Sequence, residues 1–158
     1  MPTIHANGID IWYELQGAGP ALALNHGWLG PTDGWPPNVY DLRRGTRLLV
    51  YDVRGHGKTT APEDADAYSM PQYTADLRAL LDALDIERAH IAGVSQGGMI
   101  AAQFAVDYPE RTRSLIVCDS TCGNGLDEGP GGAWERTLSS GFEAMEHIAV
   151  QDGLPALC

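Results

Sequence analysis

The chain has 158 residues, of which 44% are hydrophobic, and a formal net charge of −11. That length suits one ordinary domain with a real core, and the acidic balance argues against nucleic-acid and anionic-membrane partners, which need basic patches. No apolar run approaches a membrane span. Met1-Pro2-Thr3-Ile4-His5 carries no export signal, and the sparse, odd set Cys118, Cys122 and Cys158 lacks zinc-site spacing, so a reduced, cytoplasmic context is expected.

Asn7-Gly8, set between Thr3–His5 and Ile9–Glu14, predicts an antiparallel hairpin. Four later runs read as strands: Ala21–Asn25, Arg47–Asp52, Ala89–Val94 and Ser114–Asp119. Their middles are continuously apolar, the pattern of parallel strands covered on both faces. Between the first two, Asp33–Arg44 has room for a short helix. Pro71–Leu84 predicts a longer one, with Tyr73, Leu77, Leu80, Leu81 and Leu84 on one face and Ser69 with Gln72 as a capping box. Gly98–Tyr108 is apolar nearly throughout and is stopped by Pro109, so it reads as a helix packed deep against the sheet. The alternation predicts a doubly wound α/β sheet with a leading hairpin.

After Asp119 the texture changes. Residues 120–132 are glycine-rich and loop-like, and Trp134, Leu138, Phe142, Met145 and Ile148 then recur at helical spacing. The expected division is a core over 1–122 and the start of a cap or lid over 123–158.

The join between Ala89–Val94 and the following helix carries the chemistry. Gly93-Val94-Ser95-Gln96-Gly97 places a serine between two glycines at a strand-to-helix turn, the nucleophile-elbow pattern. Such a turn is too sharp for side chains beside the serine, and glycine lacks a Cβ. It lifts Ser95 Oγ above the sheet and aims the helix N-terminus at an oxyanion forming there.

Three further stretches stand in order with the elbow: His26-Gly27-Trp28 after one strand, Asp52-Val53-Arg54-Gly55-His56-Gly57 after the next, and Tyr108-Pro109-Glu110-Arg111 before the last. Together they resemble the α/β-hydrolase family, most closely its lactonase and esterase branch, over roughly Ile9 to Leu138. The resemblance implies an α/β-hydrolase fold: a mostly parallel sheet with a leading hairpin and helices on both faces, here incomplete and lacking the last strands. It implies Ser95 as nucleophile and the backbone N–H groups of Trp28 and Gln96 as the oxyanion hole. Serine rather than aspartate at the elbow points to acyl transfer through an acyl-enzyme.

In this fold the triad acid and then the histidine follow the serine in chain order. His26 and His56 precede it and read as parts of structural turns; His5 and His90 read as bystanders. Asp119 ends the sixth strand, where a minority of the family resembles an arrangement with the triad acid; the preferred reading is a loop-starting aspartate. His147 alone follows Ser95 among the histidines, and on one continuous helix it faces away from the apolar arc.

The expected activity is therefore a serine hydrolase of small carboxylic esters or lactones, with acid and histidine supplied from outside this chain. The alternative is a catalytically incomplete binding or assembly module on the same scaffold. No metal or organic cofactor is implied. A strand as apolar as Ser114–Asp119, left at a sheet edge, further predicts self-association or a complementary chain.

Overall fold

A computed structural model of the chain describes residues 2–28, 30 and 32–120. The expected cap over 123–158, its helix and His147 lie outside these residues.

Six strands form one sheet in the order β1-β2-β4-β3-β5-β6. The hairpin is β1 (Thr3–Ala6) and β2 (Ile9–Gln16), turned at Asn7 and Gly8, both with positive φ. Strand β2 runs antiparallel to β4 (Arg47–Tyr51), while β3 (Ala21–Asn25), β4, β5 (Ala89–Val94) and β6 (Thr112–Cys118) are mutually parallel. The continuously apolar middles are explained by cover on both faces. On one face Ala21, Ala23, Leu49, Tyr51 and Ile91 pack with α1 (Met70–Ala83) and α2 (Gln96–Asp107). On the other, Leu22, Leu24, Leu48, Val50 and Ala92 pack with Trp35, Val39 and Tyr40. Val39 and Tyr40 belong to a 3₁₀ stretch, Pro37–Arg44, which with a 3₁₀ turn at Thr32–Gly34 takes the place of the short helix expected over 33–44.

Several element ends differ from the expected bounds, in β1, β2, β4, β6, α1 and α2. Strand β4 ends at Tyr51, and Asp52 turns into the following loop. Strand β6 starts two residues earlier and stops at Cys118, because Asp119 takes a left-handed φ of 44° that no strand accommodates. Helix α2 starts at Gln96 rather than Gly98.

The capping box at α1 does not form. Ser69 is the N-cap in extended geometry, but its side chain makes no cap bond. Pro71 occupies a position whose N–H a capping serine would use, and the Gln72 N–H is committed to the Ser69 carbonyl at 3.0 Å. Among the described residues no helix is long and apolar enough to cross a membrane.

Candidate active site

The parallel strands β3, β4 and β5 end at a common edge. Asn25, fully buried at the end of β3, ties them together there. Its Nδ2 donates to Ala92 O at 2.8 Å, and its Oδ1 accepts from the Tyr51 hydroxyl. Burial pushes the Tyr51 phenol far up, so that hydroxyl keeps its proton and remains a donor.

Ser95 sits just beyond β5 with φ 55° and ψ −122°, a backbone conformation that costs a non-glycine residue about 1–3 kcal/mol. The surroundings hold it there. Its N–H donates to Cys118 O of β6 at 3.1 Å. Its carbonyl accepts from Gly98 N–H at 2.9 Å, Met99 N–H at 3.3 Å and the Ser120 hydroxyl at 2.6 Å. The glycines are required by contact as well as conformation. A Cβ on Gly93 would strike the carbonyl of Gly97, and one on Gly97 would strike the carbonyls of Asn25 and His26.

Serine is a favoured N-cap residue, yet Ser95 makes no side-chain cap bond to the helix that it starts. Its exposed hydroxyl is therefore presented outward. Gln96 is the first residue of α2, so its N–H has no intrahelical partner and points past the elbow. The Gln96 side chain is half-buried and lies near the Tyr73 phenol. Its Oε1 is buried with no partner among the described residues.

The loop after β3 lies against the serine. A Cβ on Gly27 would sit 3.3 Å from Ser95 Cβ and 3.9 Å from Ser95 Oγ, so Gly27 faces the serine across a gap that a methyl group would fill. Trp28 follows, its side chain half exposed. The loop is held from below by two histidines. His26 Nδ1–H donates to Gly27 O at 2.8 Å, while its Nε2 accepts from Val53 N–H at 2.9 Å, which fixes the tautomer. Burial keeps this imidazole below its usual pKa and thus neutral. His56 Nε2–H donates to Trp28 O at 2.6 Å. The two rings meet edge to face at 5.1 Å.

The turn that carries His56 is fixed in its own right. The Asp52 carboxylate accepts from Lys58 N–H at 2.8 Å. Arg54 makes a two-pronged pair with Asp76 of α1, at 2.7 Å and 2.6 Å, with both side chains buried. Asn7 Nδ2 adds a third bond to Asp76 at 2.6 Å.

Ser95, Gln96 and the Gly27–Trp28 loop are thus brought to one place. Asp119 follows Cys118 at the same sheet edge and is exposed. His5 bonds Asp10 in the hairpin, and His90 bonds Ser114 across β5 and β6, both away from the elbow. Sequence reading missed Ser120 and the Arg54–Asp76 pair. No local pattern marks either, since their partners lie 25 and 22 residues away. Among the described residues no group of three or more His, Cys, Asp or Glu side chains is placed to hold a metal ion.

Residues 20–151 match the model of the α/β hydrolase fold family. The chain belongs to the α/β hydrolase fold family. It is 34% identical over 117 residues to a putative carbamate hydrolase RutD of Azorhizobium caulinodans, covering 74% of this chain and 43% of that protein. It is 36% identical over 138 residues to a pimeloyl-(acyl-carrier protein) methyl ester esterase of Aeromonas hydrophila, covering 87% of this chain and 52% of that protein. Among solved structures, an N-acyl homoserine lactone degrading enzyme superposes with a TM-score of 0.70 at 32% identity, over 81% of this chain and 48% of that one. The chain thus spans about half the length of these relatives.

Proposed function

We propose that the protein is a serine hydrolase of small carboxylic esters or lactones, working through an acyl-enzyme on Ser95. The observation that carries this reading is Ser95 itself: a strained, exposed serine whose hydroxyl does not cap its own helix and lies beside the Gly27 backbone. Strain of this kind persists only where the surroundings over-determine it, and it clusters at functional sites. An esterase and a lactone-degrading enzyme among the similar proteins fit the same chemistry.

In this mechanism Ser95 Oγ attacks the carbonyl carbon as its proton passes to a histidine base. The backbone N–H groups of Gln96 and Trp28 hold the resulting oxyanion, aided by the positive end of α2. Collapse expels the alcohol, which for a lactone stays tethered as the ring-opened hydroxyl. Water then attacks the acyl-enzyme, the acid is released and Ser95 regains its proton. Among the described residues Asp119, at the same sheet edge, is the candidate acid.

Ser95→Ala in the full chain tests the reading. Turnover of p-nitrophenyl acetate is expected to fall roughly 10⁶-fold, as when a triad serine is removed elsewhere, with the thermal midpoint maintained. Turnover kept within a few-fold places the nucleophile elsewhere.

A further inference from the structure

We propose that His56 is a positioning residue for ester hydrolysis: with His26 it clamps two successive carbonyls of the loop after β3, so that the Trp28 N–H stays aimed at the oxyanion. The inference rests on the serine-hydrolase reading and assigns this histidine a role in it.

In a trans peptide the C=O and N–H of one unit point in opposite directions. The aim of the Trp28 N–H is therefore set by whatever holds the Gly27 carbonyl. His26 Nδ1–H at 2.8 Å and Gly30 N–H at 3.1 Å hold it. The next peptide unit carries the Trp28 carbonyl, and His56 Nε2–H holds that one at 2.6 Å. Gly27 has no Cβ to resist rotation of the unit between them, so the loop needs external anchors. The Gly27 carbonyl bonds fix the plane of the unit that carries the Trp28 N–H, and the Trp28 carbonyl bond to His56 fixes where the Trp28 Cα that ends this unit sits.

The anchors themselves are rigid. His26 is buried, and Val53 N–H fixes its tautomer. His56 rests edge to face on His26 at 5.1 Å, in the same turn as Arg54. Arg54 is locked to Asp76 of α1. A chain of contacts therefore runs from α1, through the turn after β4, to the loop beside Ser95. Loose placement of such a donor costs rate, since a displacement of about 1 Å at a catalytic group can cost roughly 10²-fold.

Two amide substitutions separate this role from simple packing. The Gln side chain places its N–H where His56 Nε2 stands and can still reach Trp28 O. The Asn side chain reaches only the Nδ1 position, on the side of Arg54 O, and leaves Trp28 O unheld. His56→Gln, His56→Asn and Ser95→Ala are compared in the full chain by kcat and KM on p-nitrophenyl acetate and by affinity for phenylboronic acid, which becomes a tetrahedral anion on a serine hydroxyl. His56→Asn is expected to lower kcat between about 10- and 100-fold with KM changed less than about threefold, and to weaken boronate binding in parallel. His56→Gln is expected to recover most of both.

Equal kcat and equal boronate affinity in the Gln and Asn variants, beside an inactive Ser95→Ala, overturn the clamp and leave the hydrolase reading standing. Turnover and boronate binding that survive Ser95→Ala overturn both.

Discussion

At the scale of single residues, the elbow is a set of steric demands that only certain side chains meet. Gly97→Ala drives a methyl group into the carbonyls of Asn25 and His26. Overpacking against backbone costs about 1–3 kcal/mol, so the urea midpoint of the variant is expected to drop accordingly and ester turnover to be lost with the elbow geometry; an unchanged midpoint contradicts the contact. His26 adds a pH dependence. Burial depresses its pKa below 6.5, so the folded chain keeps it neutral while the unfolded chain takes up a proton near that pH. Its contribution is fully present above 6.5 and is lost as pH falls through the lower folded-state value. Urea midpoints measured from about pH 7.5 down to about pH 5.5 should decline, and less steeply in His26→Gln. Equal slopes in the two proteins contradict the assignment. Much of this scale was legible in advance: Gly93, Ser95 and Gly97 announce the turn, and His26 and His56 stand before the serine, the wrong order for a base. What each histidine holds was not legible, because Val53 and Trp28 come within reach of those rings only when β3 and β4 lie side by side.

At the scale of elements, continuous apolar runs gave away the strands, and the bounds of β3 and β5 follow directly from them. Ends are harder. Asp119 leaves β6 through a left-handed conformation that apolarity does not encode, and Pro71 disables a capping box that Ser69 and Gln72 spell correctly. The apolar face of α1 was read from Tyr73, Leu77, Leu80 and Leu81, yet Asp76 is buried on the same helix. Its carboxylate is there because Arg54 and Asn7 converge on it from elsewhere in the chain. Removing one partner of a buried pair strands the other charge, at a cost of about 3–5 kcal/mol. Asp76→Ala is therefore expected to lower unfolding free energy by that order in urea titrations. A loss below about 1 kcal/mol would mean that the pair behaves like an exposed one. The same variant should loosen the turn that presents His56 and lower kcat.

At the scale of the whole molecule, β6 is the terminal strand of the described sheet, and Leu115, Ile116 and Val117 along it are 43–47% exposed. Such an edge, apolar and with one backbone row unpaired among the described residues, favours association. Light scattering on the 158-residue chain is expected to show self-association, relieved by a complementary chain that pairs β6; a stable monomer at high concentration contradicts this. The sequence announces the apolar strand through Leu115-Ile116-Val117, but its place at the edge is set by the order of all six strands. Backbone strain, glycine contacts and two anchored loops converge on one hydroxyl, that of Ser95. The most direct measurement is covalent labelling of the full chain with a fluorophosphonate, the adduct located by peptide mass spectrometry. The expected result is a single adduct on Ser95, absent in Ser95→Ala. An adduct on another residue, or labelling that persists in Ser95→Ala, contradicts it.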